Sequence, residues 1–395
     1  MANDWINPKI ILGNTATGDY YYGRPHIIAN IWDEIKKGNH VLLAAPRRVG
    51  KSSVMKHMTE SCLPGYKCIF ENIQGIDSDE SFYKTIYKLV KTCLSTHQKV
   101  LTLFQDFLKE LKIEEISIDG SLKLGGRSIN YLEAINHILP KLNSLDFKIV
   151  LFIDELPEVL HNLYKKGNNN EAKGILKNIR RWRQEDQFKN FRLVLAGSIG
   201  IQYVVKSIEG RIVDTNDFNN VDFEALTKQE ADKYISWATD NNATIQYDEE
   251  LQTYLLSKIQ YYLPYFINLM LDEINKKARK DNVAGISKKD IDAAFEKIVK
   301  NNDHFKDWKN RLFDYMPMPD ALFLNEVLIY IAHNEKISKQ KLFDIANKHN
   351  KRIDYMDLVD GLDKDGYIIE VAENYVFVSP FLKSFWKRNN PIYNG

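Results

Sequence analysis

The stretch LLAAPRRVGKSSVMKHM, residues 42 to 58, limits the possible fold more than any other part of the sequence. An apolar run ends in a loop of Pro, Arg and Gly, the loop closes on Gly50, Lys51 and Ser52, and a helix-like segment follows. In such a strand, loop and helix, backbone N–H groups and the positive end of the helix face an anion, and the lysine adds a full charge. The stretch therefore predicts a phosphate-binding loop.

The residues of this loop have separate expected roles. Gly50 allows the backbone to approach a phosphate closely, Lys51 reaches the terminal phosphates, and Ser52 offers a hydroxyl to Mg2+. The usual pattern, G-x-x-x-x-G-K-[ST], has glycine where this chain has Ala45, so we expect a negative φ at that residue. The predicted nucleotide-binding residues of the loop are Pro46, Arg47, Arg48, Val49, Gly50, Lys51, Ser52 and Ser53.

Arg47 and Arg48 lie inside the loop itself. Two guanidinium groups beside a lysine could neutralise phosphate charge, or they could bind acidic residues that hold the loop closed. The sequence leaves both roles open.

Short segments rich in Val, Ile, Leu and Phe alternate with longer segments of helical periodicity, notably 78–95, 130–143 and 171–184. Apolar strands that alternate with helices predict an α/β fold with a parallel sheet covered on both faces, the usual scaffold of a nucleotide site. The predicted strands are 40–45, 66–73, 148–154, 191–197 and 220–226.

The strand KIVLFID ends at Asp154 and is followed by Glu155. This is the Walker B arrangement, in which the aspartate holds Mg2+ through water and the next carboxylate polarises the attacking water. The alternative is structural: Asp154 would only cap the helix that follows. Together with the phosphate loop, the pair favours the catalytic interpretation.

Two further polar residues follow predicted elements. The fourth predicted strand ends in AGSIG, which places Ser198 at its C-terminal edge, where it could sense the terminal phosphate or simply form a turn. Arg211 follows a predicted helix at about 200–209, where it could reach the phosphates of a neighbouring subunit or lie solvated on the surface.

At 395 residues the chain exceeds the roughly 250 to 300 residues at which single cores stop growing, so several domains are expected. An insertion at about 97–128 combines a helix (97–112) with a hairpin around Asp119-Gly120, and it serves either as a flap or as a partner surface. The sheet pattern stops near Leu226, and Thr227 and Glu230 then match a capping box. The predicted domains are 1–225, 226–303 and 304–395.

The last of these domains reads as a winged helix. Its predicted helices are 320–333, 338–348 and 354–364, and its strands are 367–371 and 375–379. The third helix, which would enter DNA, carries acidic residues against a single Lys364, so phosphates would repel it. These residues are Asp354, Asp357, Asp360, Asp363 and Asp365.

Composition excludes some functions. The 54 Lys and Arg nearly cancel the 53 Asp and Glu, so no global field draws the protein to nucleic acid or to an anionic membrane. The longest apolar runs are far too short to cross a membrane, and the N-terminus does not resemble a targeting signal, so we expect a cytoplasmic protein. The three cysteines match neither a metal site nor a paired framework, and we expect reduced buried thiols.

Four stretches carry a resemblance to a known family: YYGRPHIIANIWDEIKKGNHVLLAAPRRVGKSS, LFIDELPEVL, LAGSIG and VFVSPFLKSFW. Over nearly the whole chain the sequence resembles the archaeal-type ATPases of the STAND group of P-loop NTPases, which are related to AAA+ and origin-recognition ATPases. The resemblance implies an ASCE, AAA+-like nucleotide domain, a helical lid and a C-terminal winged helix. It also implies that Gly23 and Arg24 lie near the adenine and that Pro264 faces the nucleotide.

The predicted activity is binding and slow hydrolysis of ATP with Mg2+, since no Asn-Lys-x-Asp motif supports guanine specificity. The expected catalytic residues are Glu155, Lys51, Ser198 and Arg211, and the expected metal ligands are Ser52 and Asp154. The nucleotide would control partner binding or assembly. The alternatives are a DNA loader or remodeller and a scaffold that rarely hydrolyses ATP.

The expected partners follow from these features. Besides ATP and ADP, we expect a protein partner at the winged helix or the insertion, and an ATP-promoted homo-oligomer if Arg211 acts on a neighbour. DNA binding is possible but not favoured because of the acidic third helix.

Overall fold

The computed structural model describes residues 5–94, 115–116, 122–124, 127–128, 130–198, 201–209, 218–240 and 243–393. The chain divides into two compact units. The sheet unit comprises Arg24–Ala44 and Val54–Asp222, and the C-terminal unit comprises Met1–Gly23, Ala45–Ser53 and Phe223–Gly395. The three domain ranges given above stay predictions.

The sheet unit is built on a five-stranded sheet. Its strands are β1 (Val41–Ala45), β2 (Tyr66–Asn72), β6 (Lys148–Asp154), β7 (Phe191–Ser198) and β8 (Asn219–Asn220). Their order in the sheet is β2-β6-β7-β1-β8. The pairs β2 with β6, β6 with β7 and β1 with β8 are parallel, which confirms the predicted parallel sheet.

The strand β8 is much shorter than the predicted 220–226. Only Asn219 and Asn220 pair with β1, opposite Val41 and Leu42. The apolar residues that follow are still buried at Phe223 and Leu226, so burial without strand pairing explains why their sequence resembled a strand.

Amphipathic helices accompany the sheet. The first begins with Pro25 directly after its N-cap and ends at Gly38, whose φ of 95° suits glycine. Its buried residues Ile27, Ile31 and Ile35 recur at helical spacing. The helices of this part of the chain are α1 (Pro25–Lys37), α2 (Lys51–Glu60), α3 (Asp79–Leu94), α4 (Tyr131–Lys141), α5 (Leu156–Lys165), α6 (Asn169–Gln184) and α7 (Ile201–Glu209).

The insertion contains a separate antiparallel sheet of three short strands, β3 (Glu115–Ile116), β4 (Leu122–Leu124) and β5 (Arg127–Ser128). Ile116 pairs with Leu122 across the position predicted for the turn, which supports the hairpin. The described strands of the insertion thus pair with one another and form a sheet apart from the central one. The predicted helix at 97–112 and the Asp119-Gly120 turn lie outside the described residues.

The expectation of three reduced cysteines is wrong for two of them. Cys62, just after α2, and Cys68, in β2, form a disulfide with a Cα–Cα distance of 5.9 Å, within the normal range for such a bond. Cys93 is a buried thiol, and burial raises its pKa to about 11. The two half-cystines are only 6 positions apart, since the short turn after α2 leads directly into β2.

The C-terminal unit is mainly helical. The Thr227 and Glu230 capping box opens α8 as predicted. Its helices are α8 (Lys228–Thr239), α9 (Glu249–Ile259), α10 (Pro264–Asp281), α11 (Lys288–Lys300), α12 (Lys306–Tyr315), α13 (Met318–Asn334), α14 (Lys339–Lys348), α15 (Tyr355–Lys364) and α16 (Pro380–Asn389).

Short strands complete the last part of this unit. They are β9 (Ile337–Ser338), β10 (Ile368–Val371) and β11 (Asn374–Phe377), in an antiparallel sheet of order β10-β11-β9. These elements agree closely with the helices and strands predicted there, and the winged-helix interpretation of them stays a prediction. The helix α12 was not predicted, because its short sequence, KDWKNRLFDY, is mostly polar and lies against the expected domain boundary.

An aromatic cluster joins α10, α12 and α16 into one core. Phe266 of α10 packs against Phe305 and Trp308 at the start of α12 and against Phe381 of α16, with centroid distances between 5.3 and 6.3 Å. Phe266, Phe305 and Phe381 are each 0% exposed. The expected lid and winged helix therefore share a core instead of being separated by a flexible linker.

Among the described residues, none of the helices has both the length and the hydropathy that a membrane span requires.

The shared core gives the first prediction. Phe266→Ala should lower the free energy of unfolding by about 3 to 5 kcal/mol, the usual effect of removing a buried Phe ring. Phe343→Ala is the matched control, because Phe343 is 38% exposed and its loss should cost less than about 1 kcal/mol. Urea denaturation followed by circular dichroism measures both, and equal effects of the two substitutions would contradict the shared core.

Candidate functional site

The predicted phosphate loop lies between β1 and α2. Ala45 is the last residue of the extended strand β1 and is not among the residues of positive φ, so the departure from the glycine pattern is tolerated. Gly50 has a φ of 107°, a conformation that favours glycine. Val49 is 1% exposed and anchors the loop through burial. The helix α2 then begins at Lys51, so its first N–H groups follow the loop directly.

Lys51 is almost fully buried, at 7% exposure. Its Nζ donates hydrogen bonds to the carbonyl oxygens of Ala45 (2.6 Å) and Pro46 (3.0 Å). The ammonium group is thus held over the loop by backbone oxygens. A phosphate can replace carbonyl oxygens as an acceptor with a gain in charge complementarity.

Arg47 and Arg48 both contact Asp307 in the first turn of α12. Arg47 Nη1 lies 2.7 Å from Asp307 Oδ2, and Arg48 Nη2 lies 3.6 Å from the same oxygen. Of the two roles that the sequence left open, the structure shows the second, the binding of an acidic residue. The side chains are 25 to 46% exposed, so each pair alone contributes at most about 1 kcal/mol.

Arg48 is also held by aromatic rings. Its guanidinium carbon lies 3.9 Å from the ring centroid of Tyr265 and 5.9 Å from that of Trp308. Such cation–π contacts add about 0.5 to 2 kcal/mol, depending on desolvation. The φ of Arg48 is 63°, which is uncommon for a residue with a side chain, and these side-chain contacts help to hold that conformation.

A second contact reaches the loop from the turn between α15 and β10. A Cβ added at Gly366 would lie 2.8 Å from Cγ of Pro46, and the φ of Gly366 is 71°, so only glycine fits here without a shift. The preceding Asp365 is buried, at 6% exposure. Burial raises the pKa of its carboxyl well above the usual range, against the opposing charges of Arg311 and Lys51.

The burial of Asp365 corrects one prediction about the acidic third helix of the expected winged helix. This residue is not part of an exposed acidic face, because it faces the interior close to the charge of Lys51. Asp357, Asp360 and Asp363 are exposed, as expected. Burial first, and then the neighbouring charges of Asp360 and Glu370, raise the pKa of Asp363.

In the sheet unit, Asp154 is the last residue of β6, and Glu155 follows it directly. Asp154 is 2% exposed, and its Oδ1 accepts a hydrogen bond from the backbone N–H of Glu155 (3.1 Å). The N-cap of α5 is Glu155, whose φ is 64° and whose side chain does not cap the helix. Asp154 is therefore not the N-cap of α5, as the structural alternative required. Glu155 thus combines a left-handed backbone conformation with a position directly after a strand, and strained residues of this kind often lie at functional sites.

Ser198 is the last residue of β7, the strand beside β6, and Asp154 pairs in register with Ala196. A Cβ added at the preceding Gly197 would lie 2.3 Å from Cγ of Pro157, so glycine is required where β7 passes the start of α5. The backbone thus brings the predicted sensor to the same sheet edge as Asp154. Arg211 lies outside the described residues.

The other predicted site residues occupy helix starts. Arg24 is the N-cap of α1 and is 5% exposed, Gly23 precedes it, and Pro264 is the first residue of α10, next to the Tyr265 that contacts Arg48. Ser53 Oγ accepts a hydrogen bond from the N–H of Ala16 at 3.1 Å. The roles of these residues in nucleotide binding stay predictions.

Sequence reasoning missed Asp307, Trp308 and Gly366. Asp307 is 260 positions from its partner Arg47, and no motif surrounds it. The Asp365-Gly366 pair is a visible turn signal, but its contact with the loop depends on tertiary packing. These residues could not be found from local patterns in one chain.

Two solved structures have a similar fold. A Walker-type ATPase of Pyrococcus abyssi gives a TM-score of 0.62 at 14% identity, covering 95% of this chain and 99% of that chain. The ORC2 protein of Aeropyrum pernix, solved as ADPNP-ADP complexes, gives 0.52 at 10% identity, covering 92% of this chain and 91% of that one.

No protein-family model and no curated protein matches the sequence. The resemblance to archaeal and origin-recognition ATPases is confirmed as a likeness of fold, which here consists of a five-stranded sheet with parallel pairs and of many helices.

Proposed function

We propose that this protein is a Mg2+-dependent, slowly hydrolysing ATPase switch of the STAND type, in which the bound nucleotide controls partner binding or assembly. The observation that carries the proposal is the loop geometry: a buried Lys51 over backbone oxygens, a left-handed Gly50, and a helix that begins at the loop. The fold of the two similar ATPase structures supports it.

The residues fit the nucleotide phosphates in the following way. Backbone N–H groups from Arg47 to Ser53 would surround the phosphates, and Lys51 would bind the β and γ phosphates. Arg47 and Arg48 carry further positive charge for the same anion. Gly23, Arg24 and Pro264 are assigned to the base and the lid by resemblance alone.

The donor set suits Mg2+. Ser52 lies in the first turn of α2, and Asp154 is a buried carboxylate whose Oδ1 accepts a hydrogen bond from a backbone N–H. Mg2+ usually takes only one or two protein ligands beside phosphate oxygens and water, so a hydroxyl and a carboxylate are sufficient. The ion would supply charge neutralisation to the β and γ phosphates.

Hydrolysis would use Glu155 as the general base. Its carboxylate would orient a water and take its proton as the water oxygen bonds to the γ-phosphorus and the bond to the ADP oxygen breaks. Ser198 would contact the γ-phosphate from β7. Arg211 from a neighbouring subunit would stabilise the developing charge.

The protein partner is proposed for the exposed acidic face of α15, and the insertion is the second candidate. A DNA loader is less well supported, because Asp357, Asp360 and Asp363 are exposed on that helix. Two of the cations of α16 are already engaged: Lys383 pairs with Glu335 at 2.5 Å, and Arg388 donates to the carbonyl of Val299. A scaffold that binds ATP without turnover is the remaining alternative.

The ATPase proposal is tested with two substitutions. Lys51→Ala should weaken ATP binding by about 10-fold to 100-fold, since it removes charge-assisted hydrogen bonds. Glu155→Gln should retain ATP binding and lose at least about 100-fold in turnover. Calorimetry and phosphate release measure the two effects, with Glu158→Gln on α5 as the control. Wild-type protein that does not bind ATP would refute the proposal, and wild-type protein that binds ATP without turnover would favour the scaffold.

The trans-acting arginine gives a separate prediction. Specific activity should rise with protein concentration, and Arg211→Ala should abolish this rise and lower turnover by up to about 10³-fold. Sedimentation with and without ATP should show ATP-promoted self-association. If specific activity is independent of protein concentration and Arg211→Ala has the turnover of the wild type, a trans-acting role of Arg211 is excluded.

The acidic face predicts the response to DNA. The full chain should show no sequence-selective binding to duplex DNA, and any weak binding should fall steeply between 50 and 200 mM salt, as counterion release requires. Filter binding to several unrelated duplexes measures this. Sub-micromolar, sequence-selective binding at the higher salt concentration would move the DNA alternative to first place.

A further inference from the structure

Asp307 lies beside the two arginines of the phosphate loop, where the phosphates of a nucleotide are expected to bind. It occupies the first turn of α12, where the helix dipole stabilises a negative charge, and its Oδ2 contacts both Arg47 and Arg48. One carboxylate oxygen between two guanidinium groups resembles the way in which a phosphate oxygen is held. The carboxylate therefore balances part of the positive charge of the loop.

We propose that Asp307 is an internal counter-ion of the phosphate loop, and that a nucleoside triphosphate must displace it from Arg47 and Arg48 in order to bind. The inference rests on the proposed ATP binding and concerns its regulation. The contact is autoinhibitory, because the protein competes with its own ligand for the same two cations.

The packing around Asp307 makes this competition specific. Trp308, the next residue, stacks on Phe266 with a centroid distance of 5.9 Å and lies 5.9 Å from the Arg48 guanidinium. The carbonyl of Trp308 accepts a hydrogen bond from Tyr367 Oη (2.7 Å), and Tyr367 follows the Gly366 that abuts Pro46. The start of α12 and the turn before β10 thus hold the loop from connected positions.

The contact can also be broken at modest cost. Asp307 is 46% exposed and the two arginines are about one-quarter exposed, so water can replace each partner. A multiply charged phosphate chain offers more acceptors than one carboxylate. ATP binding would then release the start of α12 and the turn at Gly366.

The first experiment measures nucleotide affinity. Asp307→Ala in the full chain should tighten binding of a fluorescent ATP analogue by about threefold to tenfold, because the competing anion is gone. Asp303→Ala is the matched control: it removes the same charge four residues earlier, from a side chain that pairs with Lys306 and is 78% exposed. The control should change affinity by less than twofold.

The second experiment needs no nucleotide. Hydrogen–deuterium exchange of the peptide that covers residues 46–56 should be faster in Asp307→Ala than in the wild type and in Asp303→Ala. Addition of ADPNP to the wild type should accelerate exchange in residues 306–316. Thermal unfolding of all three proteins confirms that they are folded.

The outcomes separate the two proposals. If the wild type does not bind ATP, the ATPase proposal fails, and the exchange experiment still reports on the contact. If the wild type binds ATP and Asp307→Ala binds equally or more weakly, Asp307 is not a competitor. An equal gain in Asp303→Ala would show a general charge effect and would also overturn the inference.

Discussion

The carboxylate of Asp307 connects the charge of the phosphate loop with the aromatic core of the C-terminal unit. Its position is fixed by its neighbours Phe305 and Trp308, which pack on Phe266. Phe266 lies two residues after Pro264, at the start of α10, and Tyr265 between them contacts Arg48. The same short stretch of helix therefore contributes one side chain to the core and another to the loop.

Much of the fold could be predicted, because its strands are short, continuous apolar runs bounded by polar residues. The strand β6 was predicted at both of its ends, since all residues from Ile149 to Asp154 are buried and the pattern has no ambiguity. The strand β8 was predicted too long, because burial at Phe223 and Leu226 gives the same pattern as pairing. The helix α12 was missed because one face of a short polar helix carries too few apolar residues to show a period.

The site residues likewise fall into those with a local sequence signal and those whose contacts depend on tertiary packing. Gly50, Lys51 and Asp154 could be singled out because a phosphate or a metal needs these residue types at fixed positions beside a strand end. Their binding roles stay predictions. The roles of Arg47 and Arg48 could not be decided, because their partner is fixed by tertiary packing at a separation of 260 residues. Gly366 shows the same limit, since its local turn signal is visible but its contact with Pro46 is not.

Charge balance then explains why the phosphate loop and the start of α12, both parts of the C-terminal unit, should respond to one another. Lys51, Arg47 and Arg48 place three cations within a partly buried loop, and such charges are costly unless paired. Backbone oxygens pair with Lys51, and Asp307 pairs with the arginines. In the proposed complex with a nucleotide, phosphates would take over both tasks, and the carboxylate of Asp307 would lose its partners. Coupling of this kind needs no chain of intermediates, because the nucleotide and Asp307 compete for the same two guanidinium groups. By linkage, whatever pulls Asp307 away must favour the nucleotide to the same degree.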